Sequence, residues 1–306
     1  MLATKLMTMR EAIAAFVPDG ASVCMGTALE AAIPFAAGHE LIRQRRRELD
    51  LVGPISDMLF DQLVAAGCAR KITAAWVGNV SAGLGHAYRR AVEAAVPRAI
   101  EVADHSNLTL ALALQAGAIG APYIPTRSLL GTGLLDSNAA FRRADDPFSG
   151  RPVVLVPALA PDVAIVHVQR ADDAGHAHAW GTLGVTREAV RAADRVIVVA
   201  EEIRSRADIL RDPNLVLAPP FKVVAVVHAP FGAYPSPVQG HYGRDHEFFH
   251  AYHEATRTAE GAVRWLEHWV TGVADWSGFL ALVGAERLDR LRVARPQLSE
   301  PLDFGG

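Results

Sequence analysis

Residues 153–168 read VVLVPALAPDVAIVHV, two β-branched apolar runs separated by Pro157, Pro161 and Asp162. A membrane-spanning helix needs about 20 mostly apolar residues without such breaks. The stretch therefore reads as two strands, 153–156 and 163–168. Neither alternates between apolar and polar positions, which suits strands covered on both faces of a parallel sheet. Working outward, similar short runs recur at 22–25, 49–52, 72–77, 100–102, 195–200 and 222–228. Helical periodicity fills the gaps at 8–16, 35–46, 57–66, 87–95, 108–116 and 187–193. The alternation predicts an α/β fold, an open, mostly parallel sheet with flanking helices. From about Gly243 the pattern changes: 245–257, 262–270, 276–283 and 286–291 read as consecutive helices, a helical C-terminal layer. No repeat, low-complexity tract or linker divides the chain, so residues 1–306 are expected to form a single domain.

The composition narrows the class of function. The chain has 306 residues, 51% hydrophobic and 21% charged, and a net charge of −3. That is a globular composition with no basic footprint for nucleic acid or an anionic membrane. The run Arg43, Arg45, Arg46, Arg47 falls at the end of a helical pattern, where cations suit the negative end of the helix dipole and a solvated terminus is expected. Cys24 and Cys68 are far apart in apolar surroundings, with no CxxC and no disulfide framework, which fits a reducing compartment. The N-terminus has Glu11 and no long apolar core, so it does not read as a signal peptide. A cytoplasmic location is the expectation.

Four local motifs invite chemistry. His246-Glu247-Phe248-Phe249-His250 matches HExxH on a predicted helix, where His at i and i+4 share a face and could grip zinc while the Glu activates water. With 12 His in the chain, chance and a half-exposed helix explain so short a match better. The run from Asp172 to His178, DDAGHAH, has turn chemistry, with Gly175 suited to a positive φ. The glycine loop 78–85, GNVSAGLG, follows a predicted strand and precedes a helix. Its backbone N–H groups could approach a pyrophosphate or thioester oxygen. It matches neither GxGxxG nor the P-loop, and a tight structural turn accounts for it as well. The stretch 101–107, EVADHSN, lies at a predicted strand's carboxyl end, where open α/β sheets place ligand crevices. Ser106 or Asn107 would cap the next helix. Asp104, His105 and Ser106 are too close in an extended segment to converge as a relay. An acid–base role for Asp104 alone stays open.

The chain-long pattern says more. In order, 35–44 (FAAGHELIRQ), 60–67 (FDQLVAAG), 76–79 (WVGN), 116–132 (AGAIGAPYIPTRSLLGT), 156–164 (VPALAPDVA), 200–203 (AEEI) and 229–236 (APFGAYPS) resemble the A (alpha) chain of class I CoA-transferases of the glutaconate type. The resemblance runs to about residue 291. It implies an enzyme, the alpha chain of a CoA-transferase that works as a hetero-oligomer with a B (beta) subunit, the active site lying between the two chains. In that family a glutamate of the B chain attacks the acyl-CoA thioester, and CoA passes to a second carboxylic acid through a glutamyl-CoA thioester. No metal and no bound cofactor are implied; the coenzyme A thioester is substrate. The resemblance also implies acyl-CoA contacts at Gly26, Gly78, Asn79, Ser106, Asn107, Arg127 and Ser128.

Two departures qualify it. Many relatives read Glu-Glu-Tyr before the Ser-Asn, where this chain has Ala103-Asp104-His105. Some related heterodimers hydrolyse a ring on a CoA-linked steroid fragment with an acidic residue in that neighbourhood. Asp104 matches the position but is one methylene shorter. The loop from Gly26 to Pro34 also lacks the basic or hydroxyl residue that many relatives carry before the proline. The expectation is therefore CoA transfer. A hydrolase or ring-opening enzyme using Asp104 is the rival within the family. A zinc metallopeptidase built on His246, Glu247 and His250 and a non-enzymatic scaffold are the rivals outside it.

Overall fold

The computed structural model describes residues 4–217 and 220–294. Seven strands form the central sheet: β1 (Ser22–Cys24), β2 (Leu49–Ile55), β3 (Ala69–Trp76), β4 (Glu101–Asp104), β5 (Val163–Ala171), β6 (Arg195–Ile203) and β7 (Val223–His228). They lie in the order β7-β6-β5-β1-β2-β3-β4, and every neighbouring pair is parallel. A two-residue piece, Ala177–His178, adds antiparallel to β5.

The apolar runs form parallel strands because both sheet faces are covered. Val163, Ile165, Ile197, Val199 and Val227 join the core under Met9–Phe16, Phe35–Arg43, Asp57–Ala65 and the C-terminal helices. Ala164, Val166, Val196, Val198 and Val226 face the opposite way, under Asn107–Ile119 and Thr186–Ala192. Alternate residues thus serve opposite cores and both must be apolar.

Residues 153–156 are a strand, but not of this sheet. Pro152–Pro157 is the middle of a separate antiparallel sheet, between Tyr123–Thr126 and Arg142–Asp145. Val154 and Val156 are buried while Val153 and Leu155 are half-buried. That is the one-faced alternation that an all-apolar run conceals. The two flanking strands escape the sequence pattern for a physical reason. Both are edges, where Pro125 and a charged run such as Arg142-Arg143 are tolerated and discourage further pairing.

The C-terminal layer consists of His246–Ala255, Ala259–Leu266 with a π turn over Glu267–Thr271, Trp276–Val283 and Ala285–Leu291. Its aromatic seam, Phe248, Tyr252, Trp265 and Phe279, packs into the first core. The basic run is less solvated than its position at a helix end suggests. Arg43 is buried against Glu40 at 2.9 Å, and Arg46 reaches the Ile13 and Ala14 carbonyls at the end of the first helix.

Candidate active-site crevice

The strand order reverses at β1, with β5 on one side and β2 on the other. Open α/β sheets bind ligands outside the carboxyl ends of their strands at such a switch point. Gly26 leaves β1 there with φ +64°, and a Cβ on it would fall 2.8 Å from Ser56 Cα, so only glycine fits. Ser56 Oγ donates to the Met25 carbonyl at 3.2 Å. The loop that follows is strained and stapled. Leu29 and Ala32 have φ of +61° and +50°. The Thr27 carbonyl accepts from Val185 N–H at 2.8 Å, and Ser236 Oγ donates to the Glu30 carbonyl at 2.7 Å.

Beyond β2 stands Asp57, buried and at φ +48°. Its Oδ1 accepts from the Val80 and Met58 N–H groups, each at 3.0 Å, and its Oδ2 meets Arg244 Nη2 at 2.5 Å. Burial pushes its carboxyl upward in pKa and the guanidinium pulls it back. Beyond β3 the chain forms a hairpin, Gly78–Asn79 against Gly83–Leu84. Gly78 leaves room for the Gly83 carbonyl, 2.7 Å from where a Cβ would lie. Asn79 is consumed internally, its Nδ2 donating to the Phe249 carbonyl at 2.7 Å and its Oδ1 accepting from Ser81 N–H at 3.1 Å.

At β6, Glu201 Oε1 accepts from Tyr242 Oη at 2.7 Å and lies 2.6 Å from His167 Nε2, while Oε2 accepts from Phe231 N–H at 2.8 Å. Nearby Asp61 accepts from Tyr252 Oη and Tyr88 N–H. Asp172 closes the predicted turn, accepting from the Ala174 and His176 N–H groups, with Gly175 at φ +97°. Sequence reasoning missed Asp57, Glu201, Tyr242 and Arg244. The one legible signal was Glu201 itself, a charge closing an apolar strand.

The structure groups Gly26, Gly78 and Asn79 with this network and sets the other expected residues apart. Asp104 ends β4 at the sheet's edge, three strand steps or about 14 Å from β1. It is exposed, whereas His105 turns inward against Phe141 and burial lowers its pKa to about 4. The two therefore form no relay. Ser106 caps the next helix, its Oγ accepting from Thr109 N–H at 3.1 Å, and Asn107 opens that helix exposed. Arg127 and Ser128 are exposed beside the small sheet, where Arg127 lines a cavity of about 520 Å³ with Tyr123 and Phe148. A larger cavity, about 650 Å³, opens at the β7 edge beside Met9 and Trp276, three strand steps from β1.

The HExxH segment is built as a packing helix. Phe248, Phe249 and Tyr252 are buried, His246 Nδ1 lies 3.3 Å from Ser81 Oγ, and Glu247 faces outward toward Arg287. Among the described residues no three His, Cys, Asp or Glu side chains converge to hold a metal. None of the described helices is long and apolar enough to cross a membrane.

A doubly covered parallel sheet with strapped loops at its switch point is the frame, and the comparisons with known proteins give its class. Residues 6–229 match the Coenzyme A transferase family, and the chain belongs to it. It is 40% identical to the alpha chain of the 3-oxoadipate CoA-transferase of Pseudomonas knackmussii, over 91% of this chain and 98% of that one. It is 31% identical to the alpha chain of the glutaconate CoA-transferase of Acidaminococcus fermentans, over 98% of each. The crystal structure of the Acidaminococcus glutaconate CoA-transferase superposes with a TM-score of 0.90 at 30% identity, covering 97% of this chain and 99% of that one. The zinc metallopeptidase reading is not favoured by a likeness that runs the length of the chain.

Proposed function

We propose that this chain is the alpha chain of a heteromeric CoA-transferase whose nucleophilic glutamate is carried by a B subunit. The observation behind the reading is that the buried carboxylates at the crevice are already engaged. Asp57 is tied to Arg244, Asp61 to Tyr252, and Glu201 to His167 and Tyr242. A nucleophile needs a carboxylate with an unengaged lone pair facing the thioester. These three are therefore read as wall, and this chain's part in the reading is wall and backbone.

In this reading the partner's glutamate attacks the thioester carbonyl, the C–S bond breaks, and CoA thiolate leaves an acyl-glutamyl anhydride. The thiolate then attacks the glutamyl carbonyl, releasing the first acid as its carboxylate. The acceptor carboxylate repeats the sequence in reverse. Each tetrahedral intermediate develops an oxyanion, for which N–H groups of the Gly26 and Gly78 loops are the donors this chain can offer. Carboxylate enters and carboxylate leaves, so the exchange needs no general acid. Asp104, Ser106, Asn107, Arg127 and Ser128 are assigned here to contacts with acyl-CoA or the partner at the exposed rim.

The acyl groups are read as dicarboxylic, because both relatives are named for dicarboxylic acids, 3-oxoadipate and glutaconate. The test co-expresses the chain with its neighbouring B-type partner and incubates the complex with succinyl-CoA and a panel of mono- and dicarboxylic acids. A new thioester that forms only with a dicarboxylic acceptor is expected. Free CoA formed at the same rate with and without acceptor would sink transfer in favour of hydrolysis.

A further inference from the structure

Arg244 lies before the first helix of the C-terminal layer, far in sequence from the crevice loops, yet its guanidinium meets two of them. It is fully buried. Nη2 holds Asp57, the first residue after the β2 crossover turn; Nε donates to Ser81 Oγ at 3.0 Å in the loop after β3; the guanidinium stacks on the Phe249 ring at 3.7 Å. Each partner is itself tied to a neighbouring loop. Asp57 sits in the left-handed region. That region is strained for an L-residue and persists only when its surroundings over-determine it. Its other oxygen fixes Val80 N–H, and its neighbour Ser56 is the surface against which Gly26 closes. Ser81 is held in turn by Asn79, whose amide is anchored to the Phe249 carbonyl.

A buried ion pair is a poor way to gain stability, since apolar side chains of similar volume often do as well or better. What an apolar pair cannot do is fix two loops at defined hydrogen-bond geometry. The planar fork of an arginine can, and a lysine cannot serve both acceptors with the same reach.

We infer that Arg244 is a positioning residue of the transferase, setting the loops after β1, β2 and β3 relative to one another so that their N–H groups meet the partner's glutamate and the acyl carbonyl in register. The inference rests on the transferase reading, and its test is made within a complex already shown to transfer CoA. A misplacement of about 1 Å in such a site can cost about 100-fold in rate.

Arg244→Met alone strands the Asp57 carboxylate in the interior, so its loss of activity would not separate folding from positioning. The deciding variant is the double change Arg244→Met/Asp57→Asn. It removes both charges together, and asparagine tolerates the positive φ. The expected result is a complex that assembles with a melting temperature near that of the wild type. Its kcat per assembled complex falls about 100-fold while KM for acyl-CoA changes little. Arg244→Lys should recover part of that loss. If the assembled double variant keeps wild-type kcat, Arg244 is structural only and the inference is overturned. Should the double variant fail to assemble, Arg244→Lys decides by the same quantity: undiminished kcat refutes the inference and a selective fall in kcat sustains it. Absence of transfer in the wild-type complex would instead defeat the parent reading.

Discussion

The rim of the central sheet and the small antiparallel sheet beside it solve opposite problems. At the rim, carboxylates are buried against partners: Asp57 with Arg244, Glu201 with His167 and Tyr242. On the small sheet the polar residues face water, Arg127 and Ser128 are exposed, and Phe148 stands 97% exposed at a hairpin tip. The contrast teaches where each part of the chemistry can reside. Asp57 and Glu201, with both carboxylate oxygens engaged, hold a fixed shape but have little left to react with, so the rim makes a rigid wall. The exposed sheet and the Asp104 edge present polar side chains to solvent and suit contacts completed by a second molecule.

Substitutions break that comparison in order of expected effect. Asp57→Ala leaves the Arg244 charge buried without its counter-ion and should cost about 3–5 kcal/mol in chemical denaturation of the assembled complex. A loss below about 1 kcal/mol would mean that the rim is not held as described.

A pH series sharpens the same contrast. Burial lowers His39 to about 3 and His105 to about 4 from the ordinary 6.5. Below pH 6.5 the unfolded chain therefore takes up protons that the folded chain refuses. Stability is fully present above 6.5 and falls as pH drops toward those values, by up to about 1.4 kcal/mol per pH unit for each histidine. Melting curves between pH 7 and 4.5 should show a shallower fall for His39→Gln than for the wild type. Equal slopes would contradict the assignment.

Gly26→Ala is next. It forces an L-residue to φ +64° against Ser56. The cost is about 1–3 kcal/mol, with a larger proportional loss of turnover because the glycine borders the crevice. The smallest effects belong to the exposed region. Phe148→Ser and Asp104→Ala should each move stability by no more than about 0.5 kcal/mol. For Asp104→Ala, loss of transfer should stay under about tenfold, since transfer requires no proton donor here. A loss of about 100-fold at unchanged stability would revive an acid–base role for that carboxylate.

What the sequence disclosed follows the same line. β5 and β6 were legible because burial on both faces demands unbroken apolar runs, and residues 163–168 and 195–200 supply them. The helices at 57–66 and 276–283 were placed nearly to the residue, since their apolar residues are legible locally and Asp275 caps the second. The small sheet was only partly legible: 153–156 looked like any buried strand, and edge positions such as Pro125 and Arg142 carry no strand signal. Gly26, Gly78 and Asn79 came from the family pattern and lie on the loops after β1 and β3. The Asp57 to Arg244 pair spans most of the chain, and no local period announces a contact between residues so far apart. HExxH is the converse case, a short match whose aromatic residues are the packing face of the helix.

The most direct test of the central claim is intact-mass spectrometry of both chains after the assembled complex has been incubated with its acyl-CoA and quenched in acid. The account predicts an unmodified mass for this chain, with a CoA adduct on a glutamate of the B subunit. An adduct on this chain, or turnover with no covalent intermediate on either, would contradict it.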